Sequence, residues 1–221
     1  MGTAATRRQE KKIRRREEIL DAAELVFGEK GPSAATMDDV AEAAQVSKGT
    51  VYLYFENKDD LFVALTHRPM DAVLARFAEL VEDDVDGLTL VRRLIEAHQS
   101  TIHKHASQMR LAIASLCGGF EPDPETPSLR HYGQRVALLR GTYLRAIERG
   151  IADGSLKPDL DPREVAAALW AGTFGASFIR MNASRFCART ELDSEALDLE
   201  RIHESVANLL LRAIASDEAL A

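Results

Sequence analysis

The sequence predicts an all-α protein: a small N-terminal bundle of three helices followed by a larger helical domain. Three observations carry this. Apolar residues recur at three- and four-residue steps, and no stretch alternates with the period of two that a half-buried strand requires. Ser, Thr, Asp and Asn stand before those stripes as helix caps, with Gly and Pro after them. The short stretch Thr36–Lys58 also places the caps Thr36, Ser47 and Asn57 in close succession. At 221 residues the chain is long enough for a substantial core. Its 46% hydrophobic and 29% charged residues mark it as globular.

Residues 1–15 read as a basic flexible arm. Residues 1–16 hold seven Lys or Arg against one acid, Glu10, although the whole chain carries a net charge of −7. Positive charge is thus gathered beside the N-terminal bundle, where it suits contact with phosphate. The first helix is expected from about Arg14 to Phe27, since Ile19, Ala23 and Phe27 form a stripe that Ala22 and Val26 widen. Gly28 and Gly31, followed by Pro32, close it.

Thr36 opens the second helix, with Asp39 three residues on as in a capping box. Met37, Val40, Ala41 and Ala44 form its apolar stripe, and the alanines leave room for a crossing helix. Val46 plugs the turn, Ser47 caps the third helix, and Val51 and Phe55 give that helix its inward side. Asn57, with Asp60 at the third position, caps the next one. Helix, tight turn and helix in this register make a helix-turn-helix. Left outward are Ser47, Lys48, Gly49, Thr50, Tyr52 and Tyr54: hydroxyls, an ammonium, and a glycine that lets backbone come close. Such groups suit double-stranded DNA, with the start of the third helix in the major groove. Lys48 and Thr50 are expected nearest the bases, and Thr36, Tyr52, Tyr54 and Lys58 at the phosphates. The positive end of the helix capped by Asn57 would face the backbone beside Lys58.

The run ATMDDVAEAAQVSKGTVYLYFENKDDLF resembles the N-terminal domain of the TetR family of bacterial transcriptional regulators, and the resemblance spans roughly Arg16 to Leu65. Beyond it only the helical layout is similar. The domain organisation expected is a helix-turn-helix DNA-binding domain over residues 16–60 and a helical ligand-binding and dimerisation domain over residues 61–221. Gln45 departs from the resemblance, standing where the family usually has glycine. Either Gln45 takes a positive φ, at a cost on the order of 1 kcal/mol, or the second helix runs one residue longer.

After Asn57 a long helix continues through Leu61, Phe62, Leu65, Val73, Leu74, Phe77 and Leu80, with a kink at Pro69. Glu82–Gly87 reads as a loop. Leu88–His105 and Ala106–Cys117 are helical by pattern, Gly118–Pro127 is a loop, and Ser128–Ala152 is a long helix ended by Asp153 and Gly154. Asp161 and Pro162 open the next helix, Arg163–Asn182, and the last is expected over about Ser194–Ala215. Arg163–Asn182 is apolar or small on nearly every side, with Gly172, Gly175 and Ala176 permitting a close neighbour. The last two helices therefore read as half of a four-helix homodimer interface, which resembles the family's arrangement and suits a palindromic operator.

The helices between are expected to enclose a small-molecule effector. Candidate lining residues are His98 and Ile102 on one helix and Met109, Ile113 and Leu116 on the next, with Phe120 in the following loop. Tyr143 and Ile147, then Trp170 and Phe174, complete the set. No cofactor is implied. His98 and His103 are five residues apart and do not share a helix face, which speaks against a metal site. Cys117 and Cys187 stand alone, without a CxxC pair. No HExxH, GxSxG or phosphate-cradling glycine loop points to an enzyme. No apolar run reaches membrane-spanning length and no signal-peptide stretch opens the chain, so a cytoplasmic location is expected. The function expected is that of a dimeric repressor released from its operator by a hydrophobic or amphipathic ligand. The competing expectation is a DNA-binding regulator without such a ligand, its C-terminal domain serving dimerisation or a protein partner.

Overall fold

The computed structural model describes residues 4–117, 121–183, 187 and 201–220, and the described residues form helices joined by turns and loops. The helices are α1 (Ala4–Ala34), α2 (Met37–Ala43), α3 (Lys48–Tyr52), α4 (Lys58–His67), α5 (Pro69–Leu80) and α6 (Gly87–Lys104). They continue as α7 (Ala106–Cys117), α8 (Pro127–Asp153), α9 (Pro162–Met181), α10 (Ile202–Ile214) and the short α11 (Asp217–Leu220). The only extended pairing among the described residues is an antiparallel bridge between Leu156 and Ala215. The protein is all-α, and no helix among the described residues is long and apolar enough to cross a membrane.

The chain divides into two compact units, Met1–Pro69 with Ser107–Gln134, and Met70–Ala106 with Arg135–Ala221. In the first, α1 contributes Ile19, Leu20, Ala23 and Phe27 to a core completed by Val40, Val51, Phe55, Leu61, Phe62 and Leu65. Phe27 and Phe62 meet edge to face at 5.1 Å and 82°, a favoured aromatic geometry. Leu61, Phe62 and Leu65 are why the unit extends past residue 60 to Pro69: α4 buries its apolar face here. Leu111 of α7 packs against the same core, and Glu24 of α1 accepts hydrogen bonds from the Ser107 hydroxyl and, at 2.6 Å, from the Gln108 amide.

Helix α1 differs from its expected bounds at both ends. Residues 4–15, read as a flexible arm, are helical from Ala4. Arg, Lys, Gln and Glu are good helix formers, and Arg14 and Arg15 pair with Glu18 one turn on. At the other end the helix passes Gly28 and breaks at Gly31 (φ 75°, ψ 162°). A mid-helix glycine costs only about 1 kcal/mol, whereas a positive φ cannot continue a helix. Pro32 then starts a last turn, with the Ala35 N–H bonding the Gly31 carbonyl at 3.1 Å.

Asp60 is 3% exposed and satisfies two backbone donors, one close in sequence and one 68 residues away. One carboxylate oxygen accepts from the Glu56 N–H at 3.0 Å and the other from the Ser128 N–H at 2.9 Å, at the start of α8. Replacing Asp60 by alanine removes two hydrogen bonds to a buried carboxylate, one of which ties the start of α8 to α4. Asp60→Ala is expected to lower stability by about 3 kcal/mol, read as a fall in the denaturant midpoint; an unchanged midpoint would show that water replaces the carboxylate.

The second unit has its own core, built from Phe77 and Leu80 of α5, Leu94 and Ile95 of α6, Tyr143 and Ile147 of α8, Leu169 of α9, and Leu211 and Ile214 of α10. The proline expected to kink one long helix instead divides it: α4 ends at His67 and α5 begins at Pro69, whose ring cannot supply an N–H to the preceding turn. The first turn of α6 is anchored on the end of α8. Gly87 donates to Asp153 at 2.8 Å and Leu88 to the Ser155 hydroxyl at 3.0 Å. That approach needs bare backbone, since a Cβ on Gly87 would lie 2.1 Å from the Gly150 nitrogen and 2.2 Å from its Cα. Neither atom can move aside without moving a helix. Gly87→Ala is therefore expected to cost about 3 kcal/mol or more, seen in thermal unfolding; a variant as stable as the parent would mean that the two helices separate freely.

Candidate nucleic-acid interface

The candidate interface is set by three local capping motifs in α2, α3 and α4. The Thr36 hydroxyl accepts from the Asp39 N–H at 3.2 Å while the Asp39 carboxylate accepts from the Thr36 N–H at 2.9 Å and its hydroxyl at 2.8 Å, a capping box. Lys30 reaches the other Asp39 oxygen at 2.7 Å. The Lys30 hydrogen bond, then those from Thr36, hold the Asp39 carboxyl down at about 2. Ser47 Oγ accepts from the Thr50 N–H at 3.1 Å and shares a 2.8 Å hydrogen bond with the Thr50 hydroxyl. Asn57 Oδ1 accepts from the Asp60 N–H at 2.8 Å.

Between α2 and α3 the chain turns at Gln45, whose φ is 54°. The Val46 N–H bonds the Ala41 carbonyl at 2.9 Å and the Gln45 N–H bonds that of Glu42 at 3.0 Å. This is the Schellman pattern, so the left-handed alternative for Gln45 is the one the chain adopts. Val46 packs against the core beneath the turn, and Val51 is fully buried, which fixes the rotation of α3.

With Val51 turned inward, Ser47, Lys48 and Gly49 are exposed and Thr50 is half-buried. Gly49 presents open backbone, since the nearest atom to a Cβ there would be Ser47 Oγ at 3.9 Å. Lys48 Nζ lies 2.7 Å from Asp38 Oδ2 across the outer surface. That hydrogen bond raises the lysine pKa above its ordinary value, so Lys48 is an exposed cation. Tyr52 is exposed, whereas Tyr54 is half-buried and packs against the core. Lys58 Nζ donates to the Ser33 carbonyl at 3.0 Å, joining the start of α4 to the end of α1. Thr36 is committed to its capping box. The sequence reading missed Leu53, which is 78% exposed beside Tyr52; its place outside the Val51–Phe55 stripe was the available signal. Along α1, Arg7, Arg8, Lys11, Lys12 and Arg14 are all exposed.

The residues expected to line a ligand cavity are divided between the two units. Met109 and Ile113 lie on α7 in the first and are partly buried. The Leu116 side chain and all of Phe120 lie outside the described residues. In the second unit, Ile102 and Ile147 are buried. His98 is edge-on to Phe77 at 6.3 Å and 90°, and burial brings its pKa down to about 4. Tyr143 packs edge-on to the same ring at 5.5 Å, and burial pushes its phenol well up. Trp170 is 54% exposed and stacks on Phe174 at 5.6 Å. Of this second group, Tyr143 and Trp170 line one cavity of about 690 Å³ between α8 and α9. Helical periodicity marks buried faces; it does not mark where packing leaves a void.

Residues 19–65 match the sequence family described as bacterial regulatory proteins, tetR family. The HTH-type transcriptional repressor KstR2 of Rhodococcus jostii is 25% identical over 147 residues, covering 66% of this chain and 70% of the repressor. Among solved structures, SmeT, the repressor of the Stenotrophomonas maltophilia multidrug efflux pump SmeDEF, superposes with a TM-score of 0.67 at 21% identity, covering 93% of each chain. The regulator FadR of Bacillus subtilis in complex with stearoyl-CoA superposes with a TM-score of 0.64 at 23% identity, covering 88% of this chain and 97% of that one. These structures share the helical fold, and the matched segment spans the second half of α1, the capped α2 and α3, and most of α4. Residues 19–65 are thus a DNA-binding domain of the TetR type, and the chain is a DNA-binding transcriptional regulator.

Proposed function

We propose that the protein is a homodimeric repressor that leaves a palindromic operator when a small hydrophobic or amphipathic molecule binds. The observation that carries the DNA half of this reading is the exposed start of α3, where Ser47, Lys48 and Gly49 stand clear of a bundle that buries Val51 completely. Lys48 and Thr50 would meet base edges, and Tyr52, Tyr54, Lys58 and Thr36 would lie along the phosphates. Thr36 would do so through a hydroxyl already held by Asp39, so its part is to fix α2. Two-fold pairing would use the face of α9 away from α8, together with α10, where Phe178 and Leu209 are exposed. Gly172 serves packing inside one chain, since a Cβ there would lie 2.7 Å from Leu210 Cδ1; Gly175 has nothing within 4 Å and is the open position.

Relatives support the ligand half: KstR2 is a repressor, and FadR was captured with an acyl-CoA. Ligand would favour a state in which the two recognition helices no longer match the half-site spacing, with the chain passing between its units at Pro69. A coupling of about 1–3 kcal/mol would lower DNA affinity about 5- to 150-fold, and operator would weaken ligand binding equally. Acting on DNA places the protein in the compartment of the genome. The test is to pass fragmented genomic DNA of the source organism over the purified protein at moderate salt and sequence what is retained. Enrichment of a few fragments sharing a palindrome is the expected result; uniform recovery would remove the operator-specific reading.

A further inference from the structure

We propose that the cavity between α8 and α9 is a binding site for an amphipathic anion, a molecule with one carboxylate or phosphate head and an unbranched apolar tail. The inference rests on the ligand-responsive reading above and names the site and ligand class.

The cavity follows from two facing stripes. Leu139 and Tyr143 project from α8 one turn apart, and Ala166 and Trp170 from α9 likewise. A small alanine opposite large α8 side chains leaves space that the core does not fill. The resulting volume of about 690 Å³ is within the range that holds small ligands. The charges at this cavity are of one sign. Arg140 of α8 and Arg163 of α9 line it, no carboxylate does, and neither arginine enters a salt bridge among the described residues. In a chain of net charge −7, two exposed guanidiniums at an apolar wall complement an anion whose tail seeks that wall. Guanidinium pairs with carboxylate or phosphate through two parallel hydrogen bonds. Arg163 also stands in the first turn of α9, after the cap Asp161, where the helix end favours negative charge.

Trp170 is the only tryptophan of the chain and lines the cavity, so its fluorescence reports occupancy directly. The full-length protein is titrated with laurate, dodecyl phosphate and neutral 1-dodecanol, each below its aggregation concentration. Laurate or dodecyl phosphate should shift the emission saturably, with dodecanol at least tenfold weaker, and whichever anion binds tighter identifies the head group. Arg140→Gln with Arg163→Gln should erase the preference for anions, and Ala167→Phe, which fills the cavity and leaves both charges, should abolish binding of all three. Equal binding of laurate and dodecanol to the parent protein would overturn the proposal. So would an emission that follows protein concentration and ignores every probe, because a second copy would then occupy the groove. No DNA enters the assay, so its failure is separate from failure of the operator pull-down.

Discussion

Replacing Lys48 by alanine is expected to weaken binding to the enriched operator fragment about a hundredfold while leaving the thermal midpoint unchanged. The second half of that expectation comes from exposure. Lys48 pairs with Asp38 at 2.7 Å, with half or more of each side chain in solvent, and exposed ion pairs contribute little to folding. The first half comes from position. One good base contact discriminates by roughly 5- to 150-fold, and the proposed dimer would make the contact twice. Fluorescence anisotropy at one fixed salt concentration, with operator and with scrambled DNA, separates the alternatives. Loss confined to operator marks a base contact, whereas equal loss on both DNAs, with a shallower salt slope, marks a phosphate contact. Asp38→Asn supplies the converse: it frees the ammonium and removes an anion from the proposed DNA face, so it should tighten both complexes.

Acidification between about pH 6.5 and 4 should destabilise both units through one half-buried histidine in each. His67 stacks on Tyr132 with ring centroids 3.6 Å apart, and burial brings its pKa down to about 4. His98, against Phe77, is lowered to about 4 for the same reason. Both are neutral in the fold, while the unfolded chain takes up a proton near pH 6.5. Stability from each is therefore complete above that pH and is lost as pH falls toward 4. The slope is about 1.4 kcal/mol per pH unit for each histidine, or roughly 2 kcal/mol each at pH 5. The depressed carboxylates Asp39, Asp86 and Asp153 lose their contribution only below the ordinary carboxylate range, so they leave this window to the histidines. Urea midpoints at about pH 7 and pH 5 measure the effect, and His67→Phe and His98→Phe should each remove part of it. A midpoint that does not move over that interval would contradict the burial of both rings.

The helix-turn-helix was legible because its signals are local. Thr36 with Asp39, Ser47 with Thr50, and Asn57 with Asp60 each close a motif within three residues, and each is visible as a spacing. The helical layout of the second unit was legible for a similar reason: α7 has its expected bounds, and α8 and α9 begin one residue early. What the sequence concealed depends on contacts remote along the chain. The second oxygen of Asp60 meets Ser128, 68 residues on, which no periodicity reveals. Ile147 and Trp170 both looked like cavity wall, yet Ile147 is fully buried in core, and of the two Trp170 alone lines the cavity. Arg140 and Arg163 were not among the residues expected to line it. Their spacing from Leu139 and Ala166 placed them at the edge of the same stripes, but only the opposing helix turns two edges into one cavity.

The left-handed Gln45 bears on how this turn drifts through evolution. A residue with a Cβ loses about 1–2 kcal/mol in that conformation, but glycine would return roughly 0.5–1 kcal/mol of the gain as added freedom in the unfolded chain. The two terms nearly cancel, and Gln45 is exposed, so no neighbour penalises its side chain. The hydrogen bonds from Gln45 to Glu42 and Val46 to Ala41 hold the turn without regard to that side chain. The position is close to neutral for unbranched residues and closed to β-branched ones. A lineage can therefore lose its glycine here by a single mutational step while α2 and α3 keep their angle, and a search that demands glycine at the turn will overlook such descendants.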